Sequence, residues 1–297
     1  MTELTGVPNS ATTARRSRSR TSGSSWRWLE FLRWLILVIA VIVSIFPAVY
    51  MVAVSLEDNA QFYAGTVFPW PWHFGNYADA WVKSQIAQLY FNSVFITTVS
   101  VVLTVAVSAL AGYAFGRISF VGRSTVYSII LLGLGIPVSI ALIPLFFDLK
   151  QLHLLNTPWS LIGSYTGFGL AFATFILRGF FETLPKELDE AARVDGANEW
   201  TIFSRIMLPL TRPALATVAI FLCLQNWNEF LFALTFITDE ARRTLPTGIY
   251  ALMDSEFYGN YPALCAALTI FSAPVLLLYF VFQSQFIAGL TAGAVKQ

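Results

Sequence analysis

The chain alternates between long apolar runs and short polar stretches. Six runs, at Trp34–Ser55, Phe91–Tyr113, Thr125–Phe147, Trp159–Leu177, Pro213–Ile237 and Ala263–Phe286, come near the ~20 residues that a helix needs to cross a hydrocarbon core. The third run contains Gly133, Gly135, Pro137 and Pro144, and the fourth Gly163, Gly167 and Gly169. Membrane helices tolerate such residues where neighbours satisfy the freed backbone groups, so they blur boundaries without removing spans. The expected fold is all-α and polytopic, with six transmembrane helices.

One polar stretch between the fourth and fifth runs has its own helical pattern. After Pro185, Lys186–Val194 is rich in helix formers, with acids early and Arg193 late, as the helix dipole favours. Gly196 stands where a left-handed cap is expected, and Asn198 can cap a second helix. In that helix Trp200, Phe203 and Met207, with Ile202 and Ile206 alongside, form an apolar stripe. Pro209 and Pro213 end it. Ala191 and Ala192 keep the first helix slim enough for close approach by a partner surface.

Composition agrees with membrane residence. Hydrophobic residues make up 56% and charged ones 12%, with a mean hydropathy of +0.65; soluble domains average about 45–50% and about 25%. The charges are segregated. One side of the six spans holds Arg15, Arg16, Arg18, Arg20, Arg27, Arg33, Arg117, Arg123, Arg178, Lys186, Arg193, Arg205, Arg212 and Lys296, and the other only Lys83, Lys150, Arg242 and Arg243. The positive-inside rule puts both termini and the Glu190 stretch in the cytoplasm. The first 25 residues, rich in Ser, Thr and Arg, are expected to be a disordered basic tail lying against anionic lipid. Three regions are expected: the tail at 1–25, the first span with its outward loop at 26–85, and a core domain at 86–297 that carries the polar loop at 180–212.

Candidate chemistry is sparse. Cys223 and Cys265 sit in apolar runs, His73 and His153 are isolated, and no nucleophile and base stand together. A phosphate-binding Gly-x-x-x-x-Gly-Lys-Ser/Thr loop is missing, and the nearest stretch, Gly116–Ser124, has the wrong spacing and no lysine. Any ATP is therefore used elsewhere. Within the fifth run, Phe221, Gln225, Asn228, Glu229 and Phe232 share a face at helical spacing, mixing hydrogen-bonding groups with aromatics. Such a face suits a sugar, and it equally suits a polar seam to a companion helix. Tyr165, Thr166 and Ser139 are weaker candidates of the same kind. The pairs Gly112-x-x-x-Gly116 and Gly163-x-x-x-Gly167 read as helix packing. The outward stretch Thr238–Pro262 carries Asp239, Glu240, Arg242, Arg243, Asp254 and Glu256; that at Leu56–Tyr90 carries Trp70 and Trp72, read as interfacial anchors.

The order Glu190-Ala191-Ala192, Asp195-Gly196-Ala197, Phe203, Ile206, Leu208-Pro209-Leu210 and Pro213 resembles the coupling-loop signature of permease subunits in binding-protein-dependent ABC importers. Trp227-Asn228-Glu229-Phe230-Leu231-Phe232 and the C-terminal Gly289–Lys296 are similar to the carbohydrate-uptake branch, especially its maltose-type second permease. The resemblance runs from about Leu29 to the C-terminus. It implies the type I importer permease fold, a second homologous permease subunit, two cytoplasmic ATP-binding subunits, and an extracytoplasmic solute-binding protein that hands over a sugar. Cofactors are expected only on the ATPase, as ATP and Mg; no metal, catalytic residue or nucleic-acid partner is expected in this chain. By position, Glu190, Ala191, Ala192, Asp195, Gly196 and Ala197 would form the coupling helix and its turn. Phe203, Ile206, Leu208 and Pro209 would hold it to the permease body, and Thr238–Pro262 would probe the binding protein. A multi-pass subunit of a prokaryotic cell membrane follows, moving an oligosaccharide or disaccharide. A glycerol phosphodiester or polyol is the alternative solute. An ion-coupled secondary transporter is the remote alternative, set against one midplane carboxylate and no internal repeat.

Overall fold

The computed structural model of the protein describes residues 23–65, 69–83, 85–253 and 258–294. Most of the expected basic tail, and with it Arg15 to Arg20, lies outside these residues, as do Asp254, Glu256 and Lys296. Helices and turns make up the described residues, with no strand among them. The chain forms two compact units, up to Tyr50 and from Met51 onward. The first unit is the greater part of one apolar helix, α1 (Gly23–Ser55). The second contains α2 (Asn59–Tyr63), α3 (Gly75–Lys83), α4 (Ile86–Arg117), α5 (Arg123–Leu132), α6 (Val138–Gln151) and α7 (Pro158–Thr183). It continues with α8 (Glu187–Val194), α9 (Glu199–Thr201), a π-helical turn at Ile202–Met207, α10 (Leu208–Leu210), α11 (Arg212–Trp227), α12 (Leu231–Phe236), α13 (Leu245–Met253) and α14 (Tyr261–Ala294).

Three helices are long and apolar enough to cross a membrane by themselves, at Trp28–Ser55, Ile86–Arg117 and Pro158–Thr183; counting two sharply bent pairs as spans makes five. The expected third span, Thr125–Phe147, is one of these pairs: α5 and α6 meet at 104°. The cause is local. Pro137 pushes Ile136 into extended backbone (φ −85°, ψ 112°), after a 3-10 turn at Gly133–Gly135. The expected fifth span is also interrupted, because α11 stops at Trp227 and α12 starts only at Leu231. The sixth run lies within α14. Helices α2, α3 and α13 occupy stretches that the sequence reading leaves as loops.

The centre of the second unit is the pair α4 and α7. At Gly112 a Cβ would lie 3.0 Å from the Arg178 amide nitrogen, and at Gly116 3.3 Å from Phe181 Cβ, so these glycines set the close approach. Gly169 is similarly crowded by Thr104 and Leu222. Gly163 and Gly167 differ: a Cβ on either would meet nothing within 4 Å, so the expected packing pair is open within this chain. One buried cluster joins Tyr113 of α4 and Leu177 and Phe181 of α7 to Ala192, Ile202, Phe203 and Met207 of the polar loop. A second joins the start of α4 to Trp227, α13 and α14, and a third joins Tyr165 to Phe232 and Phe236.

Candidate functional site

The loop between α7 and α11 is a helix, a tight turn and a second helix, as its pattern predicts. Gly196 takes φ +80°, and the Asn198 side chain accepts a hydrogen bond from the Thr201 amide. The second helix departs from plain α geometry in Ile202–Met207, where the Leu208 amide reaches back to Phe203 O. Pro209 accounts for the widened turn: its ring would clash with the carbonyl four residues earlier and it has no N–H to give. Ile202, Phe203 and Met207 face the core, and Ile206 and Leu208 pack partly against it. Pro209 is half-buried. On the other side Glu190, Ala191, Asp195 and Gly196 are exposed, and Val194 at 88% forms the tip. Ala192 is buried beneath them, and Ala197 is half-buried.

Polar contacts fasten this knob from below. Arg117, the last residue of α4, pairs with Asp189 of α8 at 3.3 Å, both side chains almost fully buried at 3% and 6% exposure. Arg117 also donates to the Leu184 carbonyl at 2.6 Å. One turn earlier, the Tyr113 hydroxyl donates to Glu199 of α9 at 2.9 Å, and Glu199 in turn pairs with Arg193. Burial pushes the Asp189 carboxyl above the usual range, with Arg117 and Arg193 pulling the other way. Hydrogen bonding to Glu199 holds the Arg193 guanidinium higher still. None of these four contacts stands out in the sequence reading. Their only signal there is that Arg117 is a charged residue just past the end of an apolar run.

The intramembrane polar group is arranged differently from the expected continuous face. Because α11 ends at Trp227, Asn228 and Glu229 lie in the break and Phe232 belongs to the next helix. Glu229 accepts hydrogen bonds from the Tyr165 hydroxyl (2.8 Å) and from the amides of Phe232 (2.8 Å) and Ala233 (3.2 Å). It therefore satisfies the orphan donors that open α12 and ties that helix to α7. Phe232 is buried, while Gln225 and Asn228 are exposed. Asn228 bonds back to the Leu224 carbonyl, and the Phe221 ring lies against Phe172, tilted by 32° with centroids 4.4 Å apart.

At the opposite end of α4 the stretch after α12 is held rigidly. Asn92 donates to the carbonyls of Ala241 and Arg243, Ser93 accepts from the Leu245 amide, and the Asn156 side chain accepts from the Thr238 and Asp239 amides. Asp239 pairs with Arg242 on the exposed surface, and exposed Glu240 pairs with half-buried Arg243. Among the described residues no group of three His, Cys, Asp or Glu could hold a metal ion.

Comparison with known proteins places this arrangement in a wider set. The model of the family described as binding-protein-dependent transport system inner membrane component matches residues 108–291. A diacetylchitobiose uptake system permease protein of Streptomyces coelicolor is 35% identical over 94% of this chain and 93% of its own. A trehalose/maltose transport system permease protein of Thermococcus litoralis is 35% identical over 90% of this chain and 98% of its own. In the crystal structure of a bacterial ABC transporter that imports the acidic polysaccharide alginate, one chain superimposes with a TM-score of 0.79 at 24% identity. The match covers 89% of this chain and 99% of that one, and the fold is shared.

Proposed function

Because the chain belongs to the inner-membrane components of binding-protein-dependent transport systems, we propose that its Glu190–Pro213 loop docks on a cytoplasmic ATPase and that its solute is a sugar. The chain is a non-catalytic permease subunit of an ABC importer, with the type I importer permease fold. Its solute is an oligosaccharide or disaccharide, in line with what the names of its relatives say of them.

The observation that carries the docking assignment is the two-sided build of the loop. Glu190, Ala191, Asp195 and Gly196 are offered to a partner, while Ala192, Phe203, Ile206, Leu208 and Pro209 lie toward the permease body. A knob with a fixed base transmits force; a floppy polar loop does not. Six spans put this loop and both termini in the cytoplasm, supported by the segregation of Arg and Lys. Residues 1–25 form a basic tail, 26–85 the first span and outward loop, and 86–297 the core domain. Two ATP-binding subunits, carrying the ATP and Mg, work beneath this chain and a second permease. Asp239, Glu240, Arg242 and Arg243, on their clamped turn, face the solute-binding protein, with Asp254 and Glu256 further along the same stretch. Phe221, Gln225 and Asn228 border the solute path; Glu229 and Phe232 shape it by holding α12 in place.

The test is replacement of Glu190 or Gly196 in the reconstituted complex. Gly196→Val puts a β-branched side chain at φ +80°, where L residues are strained. The expected outcome is ATP hydrolysis detached from solute uptake; wild-type coupling in both variants would remove the loop assignment. Asn228→Ala is expected to raise the transport Km for the cognate sugar, and weakened permease pairing at unchanged Km would make Asn228 a seam residue instead.

A further inference from the structure

Beside its apolar packing on α4, α7 and α11, the loop has two further connections that can pass motion to the membrane helices. One is along the chain into α11. That route crosses Thr211, where the axis of Glu199–Leu210 meets that of Arg212–Trp227 at 73°. Pro209 and Pro213 flank the bend and remove two backbone donors from it. The other is sideways into α4. Among the described residues, the side-chain hydrogen bonds and ion pairs that join α8 and α9 to membrane helices all end on α4, at Tyr113 and Arg117. They grip the loop on both sides of the Gly196 turn, through Asp189 before it and Glu199 after it.

We propose that Arg117–Asp189 and Tyr113–Glu199 are positioning contacts that deliver displacement of the α8 knob to α4, and through its glycine-packed partner α7 to the rest of the core. The inference rests on the reading of the loop as the ATPase dock. The Arg117–Asp189 pair suits this task because separating it strands a charge: both side chains are buried, so the two ends move together or at high cost. Arg117 holds the Leu184 carbonyl as well, which fixes the point where the chain leaves α7 for the knob. Tyr113 lies in the same buried cluster as Phe203, so the second contact has an apolar footing.

The experiment uses the complete transporter in proteoliposomes, with Cys223 and Cys265 replaced by Ala, and reads ATPase retention, ATP hydrolysis and solute uptake together. Asp189→Asn and the milder pair Tyr113→Phe/Glu199→Gln are expected to keep the ATPase bound and hydrolysing while uptake per ATP falls by about tenfold, within the usual range of coupling between sites. In Arg117→Cys/Asp189→Cys, bridging the two thiols with a short bifunctional reagent is expected to restore uptake per ATP. Wild-type uptake per ATP in Tyr113→Phe/Glu199→Gln, or no rescue on bridging, overturns the proposal. If Glu190 and Gly196 variants lose coupling while these variants keep it, only the α4 route fails. If the Glu190 and Gly196 variants also keep it, the docking reading fails first.

Discussion

A methyl group added at Gly112 would come within 3.1 Å of Leu177 Cβ, whereas one at Gly163 or Gly167 would meet nothing. The two small-residue pairs look alike in sequence and differ in what lies opposite. Gly112→Val is expected to cost at least about 1–3 kcal/mol by forcing α4 off α7, read as a lower thermal unfolding midpoint in detergent. Gly163→Ala is expected to stay within about 0.5 kcal/mol of the parent. A comparable loss at Gly163 would mean that α7 packs there on something within this chain. Gly196 could be recognised from sequence, because a helix end followed by Gly has one common geometry. Arg117 and Asp189 could not, since two charges 72 positions apart (189 − 117) are brought to 3.3 Å only by the fold.

Among the elements, α8 and the Asn198-capped helix follow from local chemistry: acids first, Arg193 late, glycine after the end, an Asx cap next. Helix α13 does not. Its sequence, Leu-Pro-Thr-Gly-Ile-Tyr-Ala-Leu-Met, opens like a turn, and it is held by Ser93, which takes the Leu245 amide, and by Leu89 packed over Gly248. Helix α12 likewise depends on Glu229, whose carboxylate occupies its first amides. Glu229→Ala is expected to speed hydrogen exchange at Phe232 and Ala233 by the equivalent of about 0.5–2 kcal/mol of lost capping. Tyr165→Phe removes the tie to α7 and leaves those amides protected. Equal exchange in Glu229→Ala and the parent would show that α12 holds without its cap.

For the whole molecule, the segregation of Arg and Lys and the six apolar runs of the sequence predict that both ends share one side of the membrane. A reporter fused to the C-terminus and a membrane-impermeant thiol reagent directed at a cysteine placed at Val194 should both report the cytoplasm. The same reagent aimed at Glu240 should label from outside. Labelling of Val194 from outside would invert the topology and detach the knob from any cytoplasmic ATPase. By itself the sequence determined membrane residence, helicity, the number of apolar runs and the helix-turn-helix of the loop, because these depend on composition, period and neighbours a few residues apart. Only the tertiary structure decided that Glu229 serves a helix end and that the loop is bolted to α4. Each of these turns on groups distant in the chain meeting where water is excluded, and a buried polar group must then find a partner wherever the fold supplies one.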